Sequence, residues 1–154
     1  MKPASVKKET LCQGTSDDVS IYPIRRSDRN QITRLYKEAG WWKPENDRQP
    51  EFVDRIAENS YCFMGAFHGQ RMIGMGRALS DGVSDAYIQD VTVLREFRGR
   101  GIGGRVINQL IQKLRADRIE WIGLIGEPGT GDFYKKLGFT EMKDSVPFIY
   151  KGDL

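Results

Sequence analysis

A single mixed α/β domain, built on a largely antiparallel central sheet with one parallel pair and flanking helices, is the fold class this sequence predicts. Three observations lead there. The chain has 154 residues, 39% of them hydrophobic and 29% charged, which suits one core and leaves no room for a second large domain. Its middle carries three consecutive strand-like runs joined by short turns, the pattern of an antiparallel meander. A strand, a helix and a strand follow in succession, and a crossover helix joins strands that run parallel.

The elements can be justified in order along the chain. Residues 1–18 are rich in Lys, Glu, Thr, Ser, Asp and Gly and are expected to form a flexible leader, leaving one domain over residues 19–154. Residues 19–25 read as a short strand. Ser27-Asp28 followed by Gln31 offers a helix cap, after which Ile32, Leu35, Tyr36 and Ala39 share one helical face up to a stop at Gly40. Pro50 precedes a second amphipathic helix carrying Phe52, Val53, Ile56 and Ala57. Trp41-Trp42-Lys43-Pro44 lies between the two. Residues 61–67, 71–79 and 86–94 form the meander, with turns at His68-Gly69-Gln70 and Ser80-Asp81-Gly82. Residues 103–115 place Val106, Ile107, Leu110, Ile111 and Leu114 at helical spacing, and residues 119–125 read as a buried strand. A short helix over 132–137 ends at Gly138, and residues 139–142 and 148–151 are expected to close the chain as strands.

Charge and cysteine exclude several function classes. The net charge of +3 arises from 24 basic and 21 acidic residues with the signs interspersed, so no basic patch for nucleic acid is indicated. No apolar run approaches the roughly 20 residues of a membrane helix. The charged start, Met-Lys-Pro-Ala-Ser-Val-Lys-Lys-Glu, lacks the apolar region of a secretory signal, which makes the cytoplasm the default compartment. Cys12 and Cys62 stand far apart with no CxxC spacing, so neither a disulfide framework nor a metal site is expected.

Glycine is the compositional outlier. Of 17 glycines, four fall between residues 99 and 104 and four between 123 and 131. The first group lies in Arg98-Gly99-Arg100-Gly101-Ile102-Gly103-Gly104, between a strand and a helix. Backbone N–H groups there can approach a diphosphate at a helix N-terminus, and Arg95, Arg98 and Arg100 favour an anion further. A phosphate-binding P-loop would end in GK[ST], and Gly103-Gly104-Arg105-Val106 does not. Gly99, Gly101 and Gly104 formally satisfy the dinucleotide pattern GxGxxG, with Glu127 about 20 residues further on. The context is wrong for it, because Arg95-Glu96-Phe97-Arg98 intervenes after a meander rather than a strand turning directly into the glycines.

Three segments together closely resemble the GNAT superfamily of acetyl-CoA-dependent N-acetyltransferases: Ile88-Gln89-Asp90-Val91-Thr92-Val93, the glycine loop, and Asp132-Phe133-Tyr134-Lys135-Lys136-Leu137-Gly138-Phe139. The family signature, Gln or Arg-x-x-Gly-x-Gly or Ala, is met by Arg98, Gly101 and Gly103. The resemblance implies a CoA diphosphate on the backbone of Arg98, Gly99, Arg100, Gly101, Ile102, Gly103 and Gly104. It implies a pantetheine arm along Val91, Thr92 and Val93, with a backbone N–H near Val93 polarising the thioester carbonyl. Tyr134 corresponds to the family tyrosine that returns a proton to the departing thiolate, which a phenol with a pKa near 10 can do at neutral pH.

An amine nucleophile must also lose a proton, and Asp90 is the first candidate to receive it, placed mid-strand with Ile88 and Thr92 on the same face. Asp81, Asp85 and Glu127 are weaker candidates. Trp41 and Trp42 fall where the resemblance puts an acceptor-covering loop, and aromatic walls beside carboxylates suit a cationic amine. His68 reads as a turn residue. Two departures from the family pattern stand out: Arg95 replaces a proline common after the strand valine, and Glu127-Pro128-Gly129-Thr130-Gly131 lacks an asparagine common before the tyrosine helix. The expected activity is direct transfer of acetyl from acetyl-CoA to a primary amine in a ternary complex, a small molecule being the preferred acceptor, by a monomer or homodimer. A peptide or protein amine, a catalytically silent CoA-binding module and a dinucleotide oxidoreductase are the alternatives.

Overall fold

The computed structural model describes residues 18–24 and 28–152. Residues 1–17 of the expected leader, Cys12, and Arg25 and Ser27 of the first predicted strand and cap lie outside them. One five-stranded sheet runs in chain order through β1 (Val19–Pro23), β2 (Cys62–His68), β3 (Arg71–Ser80), β4 (Asp85–Val93) and β5 (Trp121–Gly123). The first four strands pair antiparallel and β4 pairs β5 parallel.

Helix α1 (Arg29–Glu38) starts at Asp28, whose carboxylate accepts from the Gln31 N–H, and the Gln31 side chain also binds Gln70 and Met72 at the β2–β3 turn. Asp28 therefore caps the helix, and Gln31, whose N–H it accepts, ties the helix to the sheet. The helix closes at Gly40, whose φ of +78° allows Trp41 N–H to reach back to Tyr36 O at 3.0 Å. That reversal delivers Trp41 toward the sheet. A 3-10 turn (Pro44–Arg48) leads into helix α2 (Phe52–Asn59), which buries Val53 and Ala57.

Helix α3 (Ile102–Ala116) buries Val106, Ile107, Leu110 and Leu114, the stripe its periodicity predicts, and each such side chain contributes about 1.5–3 kcal/mol. A Cβ on Gly76 of β3 would stand only 2.8 Å from Val106, so this glycine lets α3 lie directly on the sheet. The next residue, Arg77, points the other way, toward Ser60 at the end of α2 and Asp90. Helices thus cover both faces, and β3 is buried through most of its length, as an apolar strand between two layers must be.

Two expectations are corrected here. Residues 139–142 and 148–151 form no strands; among the described residues they join no ladder, and Phe148 and Tyr150 are 93% and 94% exposed. The other correction concerns register. Met75 pairs with Thr92 and Arg77 with Gln89, so Gly76 alone stands opposite both Asp90 and Val91. Asp90, at φ 53°, is the extra residue of a β-bulge. Opposed residues share a face. Gln89 and Thr92 therefore lie with Arg77 and Met75, while Ile88 and Val93 lie with Ala78 and Gly74. Asp90 joins the Arg77 face and is separated from Ile88, because the bulge breaks the two-residue alternation on which the predicted grouping depended.

Candidate active site

The parallel pair ends early. β4 and β5 are in register only from Asp85 opposite Trp121 to Tyr87 opposite Gly123, after which β4 continues for six residues and the β5 chain turns away. A cleft of about 350 Å³ opens where they part, with Trp41, Asp90 and Val91 on one side and Leu124, Glu127 and Tyr134 on the other. Among the described residues the β4 edge facing this opening has no strand partner. Leu94 N–H donates to Ile73 O on β3 at 2.8 Å, so the backbone of Val93, one residue earlier, points to the opposite edge, and its carbonyl accepts Nε of Arg98 at 2.8 Å.

At the end of that edge stands the glycine loop. Gly99 and Gly101 have φ of 75° and 73°, a region that L side chains rarely adopt, and Gly101 is the N-cap of α3. No side chain caps this helix and no acidic residue occupies its first turn. The N–H groups of Ile102, Gly103 and Gly104 are thus the orphan donors of an uncapped helix start, and successive amides around left-handed glycines form a concave anion cradle. Gly104 also packs tightly: a Cβ there would lie 3.3 Å from Leu137. Arg100 lies over the Phe97 ring at 5.2 Å. The residues present fit a diphosphate.

Tyr134 sits on α4 (Gly131–Lys136) and lines the cleft, its ring edge-on to Phe133 and Phe139. Burial, then the nearby Glu127 charge, pushes its phenol above the ordinary value, so it stays protonated across neutral pH. Among the described residues its hydroxyl makes no hydrogen bond, which leaves the proton available. One glycine of the second group makes room for this residue. A Cβ on Gly126 would stand 3.2 Å from the Tyr134 ring and 2.9 Å from the Thr130 hydroxyl, so a larger residue there would have to displace one of them.

Asp90 is held by two donors on one oxygen: Tyr36 Oη and Arg77 Nε, each 2.5 Å from Oδ2. Tyr36 is 5% exposed, and burial followed by the Asp90 charge pushes its pKa well above the usual value. Neither Tyr36 nor Arg77 was a sequence candidate. The signal available was Arg77 itself, a charge in the apolar run Met72-Ile73-Gly74-Met75-Gly76-Arg77-Ala78-Leu79 that required a partner.

The two tryptophans separate. Trp41 enters the cleft wall beside Tyr36, at 6.1 Å between rings. Trp42 instead donates to Asp47 at 3.0 Å, packs against Phe52 and carries Lys37 over its ring, and it does not line the cleft. Asp81 closes its own turn by accepting from Val83 and Ser84, bonds that lower its pKa to about 2. Asp85 begins β4 away from the opening, and His68 tilts against Phe97. Glu127, a weaker candidate by sequence, is in the cleft beside Tyr134. A larger cavity of about 700 Å³, bounded by Ile111, Arg115 and Leu137, holds none of the predicted site residues. Among the described residues no group of three or more His, Cys, Asp or Glu could hold a metal ion, and no helix is long and apolar enough to cross a membrane.

Comparison with known proteins bears directly on this arrangement. The profile of the acetyltransferase (GNAT) family matches residues 26–139. An uncharacterized N-acetyltransferase, ycf52, of Porphyra purpurea is 43% identical over 94% of this chain and 86% of its own length. Serotonin N-acetyltransferase 2, chloroplastic, of rice is 36% identical over 81% of this chain and 64% of its own. Among solved structures, a GNAT family acetyltransferase of Streptococcus pneumoniae superposes with a TM-score of 0.75 at 21% identity, covering 87% of this chain and 98% of that one.

Proposed function

The chain belongs to the GNAT acetyltransferase family and is an acetyltransferase enzyme, and from that premise we propose that it transfers acetyl from acetyl-CoA directly to a small primary amine. The observation that supports this reading is the parting of β4 from β5, which leaves an unpaired backbone edge and a protonated tyrosine at one cleft, while the uncapped start of α3 follows the end of β4. Acetyl-CoA, when bound, supplies an acyl carbon activated as a thioester. The amides from Arg98 to Gly104 hold its diphosphate, and the free edge at Val91, Thr92 and Val93 aligns the arm beyond it. The Val93 N–H, aimed away from β3, donates to the carbonyl oxygen as negative charge develops there.

Both reactants are held together, so the amine lone pair attacks the carbonyl carbon, a C–N bond forms and the C–S bond breaks. Tyr134 gives its proton to the departing sulfur. The proton shed by the amine passes to a carboxylate of the cleft. Glu127 suits this role better than Asp90, because Asp90 Oδ2 is already engaged by Tyr36 and Arg77, whereas Glu127 forms no ion pair among the described residues. Asp90 then orders the Tyr36 face of the cleft and adds negative charge. Trp41 and Tyr87 offer aromatic walls to a cationic or aromatic amine, in keeping with a relative named for serotonin.

Thiol release from acetyl-CoA, measured with a panel of small amines and lysine-containing peptides, tests the reading. Acceptor-stimulated thiol with a small amine is expected. Stimulation by peptides alone would move the acceptor to a protein amine, and tight acetyl-CoA binding without release from any amine would make the chain a binding module. In the same assay Glu127→Gln should lose the acidic limb of the pH–rate profile and Asp90→Asn should keep it; the reverse would return the base to Asp90. The compartment is proposed to be the cytoplasm. Cell fractionation tests this, and recovery in plastids would correct it in favour of the compartment named for the rice relative.

A further inference from the structure

Arg77 is the only charge between Met72 and Leu79 of β3, and its side chain is 14% exposed. A guanidinium keeps its proton and carries its donors in a fixed fork, so in such a place each arm needs an acceptor. Nε donates to Asp90 Oδ2 at 2.5 Å, one terminal nitrogen donates to Gln89 Oε1 at 3.1 Å, and the other reaches Ser60 Oγ at 3.5 Å. Ser60 ends α2, while Gln89 and Asp90 belong to β4. Tyr36 of α1 donates to the same Asp90 oxygen at 2.5 Å. One cation thus ties β3 to β4 and to the end of α2, and through Asp90 to α1.

These ties converge on two walls of the cleft. The first is the β4 edge. Asp90 carries the left-handed backbone of the bulge, a conformation costly to any residue but glycine, and the course of Val91, Thr92 and Val93 starts from it. Its carboxylate is gripped by a cationic donor and a phenol at once, which fixes the side chain and with it the backbone. The second wall is Trp41, whose ring stands 6.1 Å from that of Tyr36 and whose N–H returns to Tyr36 O. Trp41 lies in the segment between α1 and α2, and Arg77 reaches the helix on either side of that segment, directly at Ser60 and through Asp90 at Tyr36. Arg77 itself does not line the cleft.

We propose that Arg77 is a positioning residue of the transferase: its forked guanidinium holds Asp90 in the bulge and thereby sets both the β4 edge that aligns the thioester and the Trp41 wall that receives the amine. The kinetic part of this inference rests on the acetyl-transfer reading given above, whereas the clamp on Trp41 does not. Diphosphate binding relies on the backbone of residues 98–104, outside the clamp, so cofactor affinity is independent of Arg77 while the geometry of attack is not. A displacement of about 1 Å at a reacting group costs about 10²-fold in rate.

In the thiol-release assay Arg77→Met is expected to lower kcat about 10²-fold and to raise the acceptor KM, with the acetyl-CoA Kd from calorimetry within about twofold of the parent. Arg77→Lys keeps the charge but loses the fork, so its losses should be smaller, and it replaces Arg77→Met throughout should that variant fail to fold. The combined Arg77→Met, Asp90→Asn chain should be no slower than the slower single variant, because both changes break one link. A readout without turnover uses a chain bearing Trp42→Phe and Trp121→Phe, in which Trp41 is the sole tryptophan. There Arg77→Met should shift the Trp41 emission to the red and increase its quenching by acrylamide, with an unchanged far-UV circular dichroism spectrum. If the parent chain acetylates no amine, the acetyl-transfer reading fails and the Trp41 signal alone decides the clamp. Losses that multiply in the combined chain, an acetyl-CoA Kd that rises in step with the fall in kcat, parent kinetics in Arg77→Lys, or Trp41 emission and quenching equal to the parent's would each overturn the proposal.

Discussion

Tyr134 owes its position to neighbours that have no side-chain chemistry. Gly126 makes room for its ring, Phe133 and Phe139 fix the ring edge-on, and burial keeps its phenol protonated. As a general acid it should be worth about 10²- to 10⁴-fold in kcat. Tyr134→Phe is therefore expected to lower turnover by that order while leaving acetyl-CoA affinity unchanged, read by steady-state thiol release and calorimetry; full turnover in the variant would remove the assignment. Tyr134 was legible in the sequence because its motif is local, a short helix closed by a glycine. Asp90 was legible as a candidate but not as a member of a network, since Arg77 and Tyr36 approach it from positions 13 and 54 residues away. The choice between Trp41 and Trp42 was likewise hidden. It rests on one left-handed glycine that turns the first inward, and on Asp47, which holds the second outside.

At the level of elements, the candidate cleft is produced by two departures from regular pairing. The bulge at Asp90 bends the end of β4, and the three-residue β5 stops pairing where β4 has six residues still to run. Helix α3 meets the end of this edge with its uncapped start, and Gly101 supplies the left-handed turn between them. An alanine at that φ costs about 1–2 kcal/mol. Gly101→Ala should lower the melting temperature correspondingly and weaken acetyl-CoA binding, because the amides that follow would be turned out of line. A variant with unchanged melting and unchanged affinity would show that the loop tolerates a different backbone and that the cradle is not built on this residue. Helix α3 and the glycine loop could be read directly because apolar periodicity and turn residues act over a few positions. The bulge could not, since an extra residue exists only relative to the strand opposite it.

For the molecule as a whole, the tie between α1 and the sheet through Tyr36 and Asp90 makes stability depend on pH at the alkaline end. The folded Tyr36 phenol has a pKa raised above the value near 10 that it has in the unfolded chain. Between those two values the native state holds a proton that the unfolded state has lost. Stability is then complete below pH 10 and falls as pH rises, by about 1.4 kcal/mol per unit for this one group. Tyr36→Phe should be less stable at neutral pH yet show a shallower decline above pH 10 in denaturant titrations; an unchanged slope would mean that the hydroxyl is not protected in the fold. From the sequence alone came the mixed α/β class, the meander and crossover, the glycine loop before α3 and the tyrosine on α4, because each is written in periodicity, turn chemistry or a contiguous motif. Only the tertiary structure decided which face Asp90 joins, which tryptophan lines the cleft, that Glu127 stands beside Tyr134, and that residues 139–151 leave β5 uncovered. Those outcomes depend on pairing between segments distant along the chain, where register and packing rather than local preference set the free energy.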